Sequence, residues 1–218
     1  MLNAGALILA GGEGRRIGEF KALVKLNAKP LVLYVVEKAA ELFDEVIVVA
    51  NSERGVEELK SILPGKVRII EDSAEGRGPL AGIVSGAKEV SREYTATLPC
   101  DSPFIRIEVL KLLYEMRLGF DAVIPRWPNG YIEPLHSVYR TASALSAGMQ
   151  ALKDGKYRVT EMISRLSKVR YVDVEFLRKV DAELLTFFNI NRVEDLWRAE
   201  RIVENIHRQA FRSDKTKD

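Results

Sequence analysis

The chain has 218 residues, 47% of them hydrophobic and 29% charged, with a net charge of +2 and a single cysteine. These values predict one globular domain with a sizeable core, and exclude a disordered chain, an internal disulfide and a charge-driven nucleic-acid binder. No apolar run approaches the roughly 18 residues of a membrane span, the N-terminal charges follow their apolar run instead of preceding it as in a signal peptide, and a lone thiol fits the cytoplasm.

In chain order, Ala6–Ala10 is a short apolar run that reads as a buried strand, ended by Gly11 and Gly12. A glycine-rich loop follows, and then a helix over 30–43 with Pro30 at its start and apolar residues at helical spacing. Residues 45–50 read as a strand and 52–63 as a helix with Ser52 as N-cap. Residues 66–70 read as a strand, 78–90 as a helix opened by Gly-Pro, 94–99 as a strand and 106–116 as a helix. Beyond this the pattern loosens. Residues 120–125 and 135–139 read as strands, the second as a candidate antiparallel one, and 168–174 and 186–190 as further strand candidates. A last helix starts near Glu194, and the polar 207–218 reads as a frayed tail after a domain spanning 1–206. The alternation predicts an α/β protein, a mostly parallel sheet with helices on both faces.

Such sheets bind ligands outside the carboxyl ends of their strands. Four polar features fall there: the loop 11–21, Asn51, Asp72 and Asp101. The loop carries Gly11, Gly12, Gly14 and Gly18 interleaved with Arg15, Arg16 and Lys21, and residues 11–29 hold a local charge of +3. Its spacing, G-x-G-x-x-x-G, is one residue too long for a dinucleotide fingerprint, and Asn51 stands where that motif expects an acid. No Lys-Ser or Lys-Thr follows at P-loop spacing. A plain strand–helix connection accounts for the glycines but not for the neighbouring cations. A phosphate-binding loop accounts for both.

Asp101, just after a strand in "LPCDSPF", is open to two readings: a cap for the Ser-Pro turn, or a hard oxygen ligand for Mg²⁺. Asp72 has the same placement and reads equally well as a solvated turn residue. His136 and His207 stand far apart with no cysteine cluster, which argues against zinc. His136 reads as a satisfied strand histidine and Cys100 as a small buried residue. Asn191 with Glu194 reads as a helix cap and its capping-box partner, which leaves Asn189 in "FFNIN" without a role.

The segments "LILAGGEGRRIGEFKAL", "IIEDSAEGRGPLAGI", "LPCDSPFI", "EPLHSVY" and "FFNINRVEDL" resemble, in that order and over most of the chain from about Gly5 to Leu196, the molybdenum cofactor guanylyltransferases. The resemblance implies a Rossmann-like three-layer α/β/α fold. It also implies transfer of GMP from GTP to the terminal phosphate of molybdopterin cofactor with Mg²⁺, releasing pyrophosphate. Leu9, Ala10, Gly11 and Gly12 would then line the nucleotide, and Lys21 and Arg16 would meet phosphates. Asn51 and Asp72 would contact the nucleotide, and Asp101 would hold the metal. The partners implied are GTP and the cofactor, with transient contact to other proteins of cofactor biosynthesis, and neither nucleic acid nor membrane.

Gly14, Ile17 and Phe20 depart from the usual Ser, Met and Asp. Ser102 stands for a common Met, and Arg192-Val193 for Thr-Pro. None of these removes a metal or phosphate contact. A guanylyltransferase for a cobalamin precursor is a close alternative. Sugar-phosphate nucleotidyltransferases are another, but they carry Thr-Arg and Pro-Lys pairs where this chain has Arg15-Arg16 and Phe20-Lys21. A nucleotide-binding regulatory protein without turnover is the alternative from another class.

Overall fold

A computed structural model describes residues 1–11, 20–73 and 78–214, apart from the side chains of 207 and 209–214. Gly12, Gly14, Arg15, Arg16 and Gly18 of the glycine loop lie outside the described residues. β1 (Leu2–Leu9) leads to a short ribbon, β2 (Lys25–Leu26) and β3 (Lys29–Pro30), and then to α1 (Leu31–Leu42) and β4 (Phe43–Ala50). There follow α2 (Glu53–Lys60), β5 (Arg68–Glu71), α3 (Pro79–Glu89), β6 (Tyr94–Pro99) and α4 (Ile107–Glu115). The second half holds β7 (Ala122–Arg126), β8 (Ser137–Arg140), α5 (Thr141–Lys153), α6 (Val159–Ile163), β9 (Val169–Asp173), α7 (Val174–Leu177) and α8 (Val193–Asp214).

Among the described residues seven strands form one sheet in the order β5-β4-β1-β6-β8-β7-β9. All neighbours pair in parallel except β8, which runs antiparallel to both β6 and β7. Successive residues of a strand face opposite sides of its sheet, so a strand buried on both faces is apolar throughout. In β1, Ala4, Ala6 and Ile8 enter one core with α1 and α4, whereas Leu7 and Leu9 enter a second with α3, α5 and α6. The two cores on opposite faces give the three α/β/α layers.

Close contact between α3 and β1 depends on Gly86. A Cβ there would sit 2.0 Å from Leu7 Cδ1 and 2.8 Å from Leu7 Cγ, and Leu7 is fully buried. Gly86→Ala is therefore expected to destabilise by about 1–3 kcal/mol, exceeding the gain of up to about 1 kcal/mol from better helix propensity. Urea unfolding measures it, and a variant as stable as the parent would show that α3 rides on β1 with room to spare.

The first eleven predicted elements, through the strand over 168–174, are present with shifts of a few residues, and Ser52 caps α2 by accepting a bond from Gly55 N–H at 3.2 Å. The predicted strand over 186–190 is corrected. Leu184 is left-handed (φ 54°), and the buried Asp181 carboxylate accepts from the N–H groups of Leu185 and Thr186 at 3.1 and 2.8 Å. That carboxylate takes amides a sheet would need, and Leu185–Phe187 winds into a 3-10 turn. The last helix covers most of the segment read as a polar tail. α8 runs to Asp214, and residues 193–214 contain no glycine or proline to stop it. α5 has no counterpart in the sequence reading. Its buried face is mostly small (Ala144, Ala147, Gly148, Ala151), so it leaves little hydrophobic periodicity to detect.

Candidate active site

The ends of the strands set the order of groups along one edge of the sheet. Parallel β5, β4, β1 and β6 end there, placing Asp72, Asn51, Gly11 and Asp101 side by side. Antiparallel β8 instead begins at that edge, so residues 133–136 before it arrive beside Asp101. The chain proceeds from β1 to β4 and β5 on one side and then returns to β6 on the other. Asp101 thus lies at the point where strand order reverses, the usual ligand site of open α/β sheets. A cleft of about 820 Å³ opens here. One wall holds Leu9, Gly11, Asn51, Asp72 and the start of α3, and the other holds Tyr131, Glu133, His136, Asn189 and Asn191.

Backbone bonds pin the edge. Cys100 N–H donates to Leu9 O at 3.2 Å, Asp72 N–H to Ala50 O at 2.7 Å, and Ile190 N–H to Asp101 O at 3.0 Å. Asp101 is buried, and its carboxylate pairs with Lys21 Nζ. Lys21 also donates to Asn191 Oδ1 at 2.7 Å across 170 positions of sequence. A third apolar cluster brings these two together: Val24, Leu26 and Leu31 pack with Ile190 and Ala199. The ribbon that supports Lys21 turns through Asn27 and Ala28, both at positive φ (48° and 64°), as a two-residue hairpin requires. On the other side Asp72 Oδ1 accepts from Ser85 Oγ at 2.6 Å. Burial pushes the Cys100 thiol well above its ordinary range, with the adjacent Asp101 charge adding to it, so Cys100 is a packing residue.

Of the sequence-predicted site residues, Leu9, Gly11, Lys21, Asn51, Asp72 and Asp101 line this one cleft. The Ala10 side chain does not. It packs on the opposite face of the sheet with the α1 core. Gly12 and Arg16 lie outside the described residues. Asn191 is not the predicted cap, because its side chain turns to Lys21. Asp195 reaches back instead and accepts from the N–H groups of Asn191 and Arg192, both at 3.0 Å. Glu133, His136, Ser102 and Asn189 form a buried chain that sequence reasoning missed, since they stand up to 87 positions apart. The one local signal was the pair of asparagines in "FFNIN".

A three-layer fold whose parallel strands end in a polar cleft, with a lysine and a carboxylate paired at the switch point, defines an α/β nucleotide-binding protein. The sequence model of the MobA-like NTP transferase domain matches residues 6–169, and the chain belongs to that family. A protein of Methanosarcina mazei named "probable molybdenum cofactor guanylyltransferase" is 38% identical over 196 residues, spanning 88% of this chain and 87% of its own. A protein of Pyrococcus horikoshii with the same name is 33% identical over 195 residues, spanning 88% and 96%. The crystal structure of molybdopterin-guanine dinucleotide biosynthesis protein A from Archaeoglobus fulgidus superposes with a TM-score of 0.81 at 35% identity, covering 92% of this chain and 99% of that one. The 2-C-methyl-D-erythritol 4-phosphate cytidylyltransferase of Thermus thermophilus, 17% identical with a TM-score of 0.68, shares the fold.

Proposed function

We propose that this protein transfers GMP from GTP to the terminal phosphate of molybdopterin cofactor, carrying molybdenum or tungsten, and releases pyrophosphate. The observation that carries the reading is the Lys21–Asp101 pair at the centre of a cleft with two polar walls. The names of the relatives supply the acceptor and the base. Nucleotide is assigned to the wall of Leu9, Gly11, Asn51 and Asp72, and the acceptor to the wall of Tyr131, Asn189 and Asn191. An acceptor phosphate oxygen attacks the α-phosphorus, the bond from that phosphorus to the α–β bridging oxygen breaks, and pyrophosphate leaves with the electron pair. The acceptor oxygen is already ionised, so the step needs no general base. The protein's part is to hold two anions in line and offset their charge, with Lys21 and the glycine loop, including Arg16, on the phosphates.

The donor set fits Mg²⁺. Among the described residues no cluster of three or more His, Cys, Asp or Glu side chains could cage a metal. Asp101, a buried carboxylate beside the proposed phosphate site, suits an ion that takes one or two carboxylates and completes its shell with phosphate oxygens and water. Asp101 would hold it, and it would neutralise charge across the nucleotide phosphates. The reading carries with it a cytoplasmic location and transient contact with other proteins of cofactor biosynthesis. No described helix is long and apolar enough to cross a membrane.

GTP with Mg²⁺ is expected to raise the melting temperature more than ATP, CTP or UTP at equal concentration, with about 2.7 kcal/mol of stabilisation at a hundredfold excess over Kd. A larger shift with CTP would move the chain to the cytidylyltransferases. Pyrophosphate release from GTP only when molybdopterin cofactor is added separates the proposed enzyme from a binding protein without turnover.

A further inference from the structure

The wall assigned to the acceptor carries a hydrogen-bond chain of its own. Ser102 is fully buried and its hydroxyl donates its one proton to Asn189 Oδ1, an atom that only accepts. Ser102 Oγ also lies 3.0 Å from His136 Nε2. With the hydroxyl proton already committed, the ring nitrogen is the donor in that contact, so His136 carries a proton on Nε2.

His136 is 1% exposed, and its other nitrogen has no hydrogen-bond partner among the described residues but lies 3.6 Å from Glu133 Oε2. Glu133 is itself fixed, because Oε1 accepts from Trp127 Nε1–H at 2.8 Å. Phe187 meets the His136 ring edge-on at 5.3 Å and the Trp127 ring at 5.9 Å, so the imidazole has little room to rotate. At the far end of the chain Asn189 lines the cleft. Its oxygen is turned inward to Ser102, and no described residue accepts its amide protons.

We propose that His136 and Ser102 are positioning residues that lock the Asn189 carboxamide with its nitrogen facing the cleft, as a donor to an anionic oxygen of the acceptor. A free asparagine side chain presents oxygen or nitrogen at little cost, and a carbonyl oxygen there would repel a phosphate. Anchoring from the buried side removes that choice before substrate arrives. Asn189 stands on the β8 side of Asp101, away from Asn51 and Asp72, which is why the acceptor and not GTP is its partner. The assignment of the anion to an acceptor phosphate rests on the guanylyltransferase reading. The locked orientation does not.

Two measurements test it. The sequence has only two histidines, so the ring nitrogens of His136 are assignable in ¹⁵N-histidine-labelled protein by comparison with His136→Gln. A proton on Nε2 is expected. A proton on Nδ1 alone would make Ser102 the donor to the ring, turn the Asn189 oxygen to the cleft and overturn the proposal, whatever the protein catalyses.

In kinetics, Ser102→Ala is expected to raise the acceptor KM about tenfold and leave the GTP KM near the parent value, while the buried His136 N–H left without an acceptor lowers the melting temperature. His136→Leu should do the same, and His136→Gln, whose amide can donate to Ser102, should recover most of the loss. An acceptor KM within twofold of the parent in Ser102→Ala, a parallel rise in both KM values, or a Gln variant no better than Leu would overturn the relay. If His136→Leu does not fold, Ser102→Ala carries the kinetic test. Absence of any GMP transfer by the parent protein would sink the functional reading, while the tautomer still decides the orientation.

Discussion

Asp101→Asn is expected to lower turnover by two orders of magnitude or more, about 2.7 kcal/mol of transition-state stabilisation, with the fold intact. Asparagine keeps the size of the side chain, and the backbone bond from Ile190 N–H to Asp101 O, which ties the 189–191 segment to this edge, does not involve the carboxylate. Lys21 is 18% exposed and keeps Asn191 as a partner, so losing the carboxylate does not strand a cation in the core. What goes is the negative charge that would hold a hard, strongly hydrated ion against the phosphates. Nucleotide binding should suffer less than chemistry, since on the proposed reading Lys21 would still meet phosphate. The measurement is an Mg²⁺ titration of GMP transfer, with melting temperature as the check on folding. Near-normal turnover at low Mg²⁺ would make Asp101 a turn residue that serves only to pair with Lys21.

Lys21→Ala should weaken nucleotide binding and slow transfer together, because on the proposed reading its charge meets phosphate in the ground state and in the transition state alike. One charge-assisted contact corresponds to roughly 1.5–3 kcal/mol, or about tenfold to a hundredfold in Kd. The substitution also leaves the buried Asp101 carboxylate without its cation, which lowers the stability of the free protein. Kd is therefore measured by calorimetry at a temperature well below unfolding. Lys38→Ala is the control: Lys38 pairs with Glu41 at 3.4 Å on the surface of α1, where an exposed ion pair contributes little. Equal Kd values for both variants and the parent would mean that the cleft does not take phosphate through Lys21.

The class of fold was legible because its signals are local. Ala6–Ala10 and 45–50 are apolar almost throughout, as strands covered by helices must be, 94–99 alternates apolar residues with threonines, and Gly11 and Gly12, Ser52 and Pro79 punctuate the sequence with turn and cap signals. Post-strand polar residues in such a sheet share one edge by topology. The loop 11–21, Asn51, Asp72 and Asp101 could therefore be nominated from the chain alone and Leu9 from the family resemblance, and Leu9, Gly11, Lys21, Asn51, Asp72 and Asp101 line one cleft.

Tertiary structure decided the rest, because the remaining relations are long-range or reverse a local preference. "TFFNI" has strand composition, yet the buried Asp181 carboxylate takes two of its neighbouring amides and bends it into a 3-10 turn. Asn191 has cap chemistry, yet the packing of Ile190 against Val24 and Leu26 brings Lys21 to its side chain, and Asp195 takes over the amides. The pairing of Lys21 with Asp101 and the chain from Glu133 through His136 and Ser102 to Asn189 join residues from separate elements of the fold. Periodicity and spacing report which face a residue occupies within its own element. Which residues of distant elements meet is set by strand order and by β8 running against its neighbours, and those follow from packing the whole chain at once.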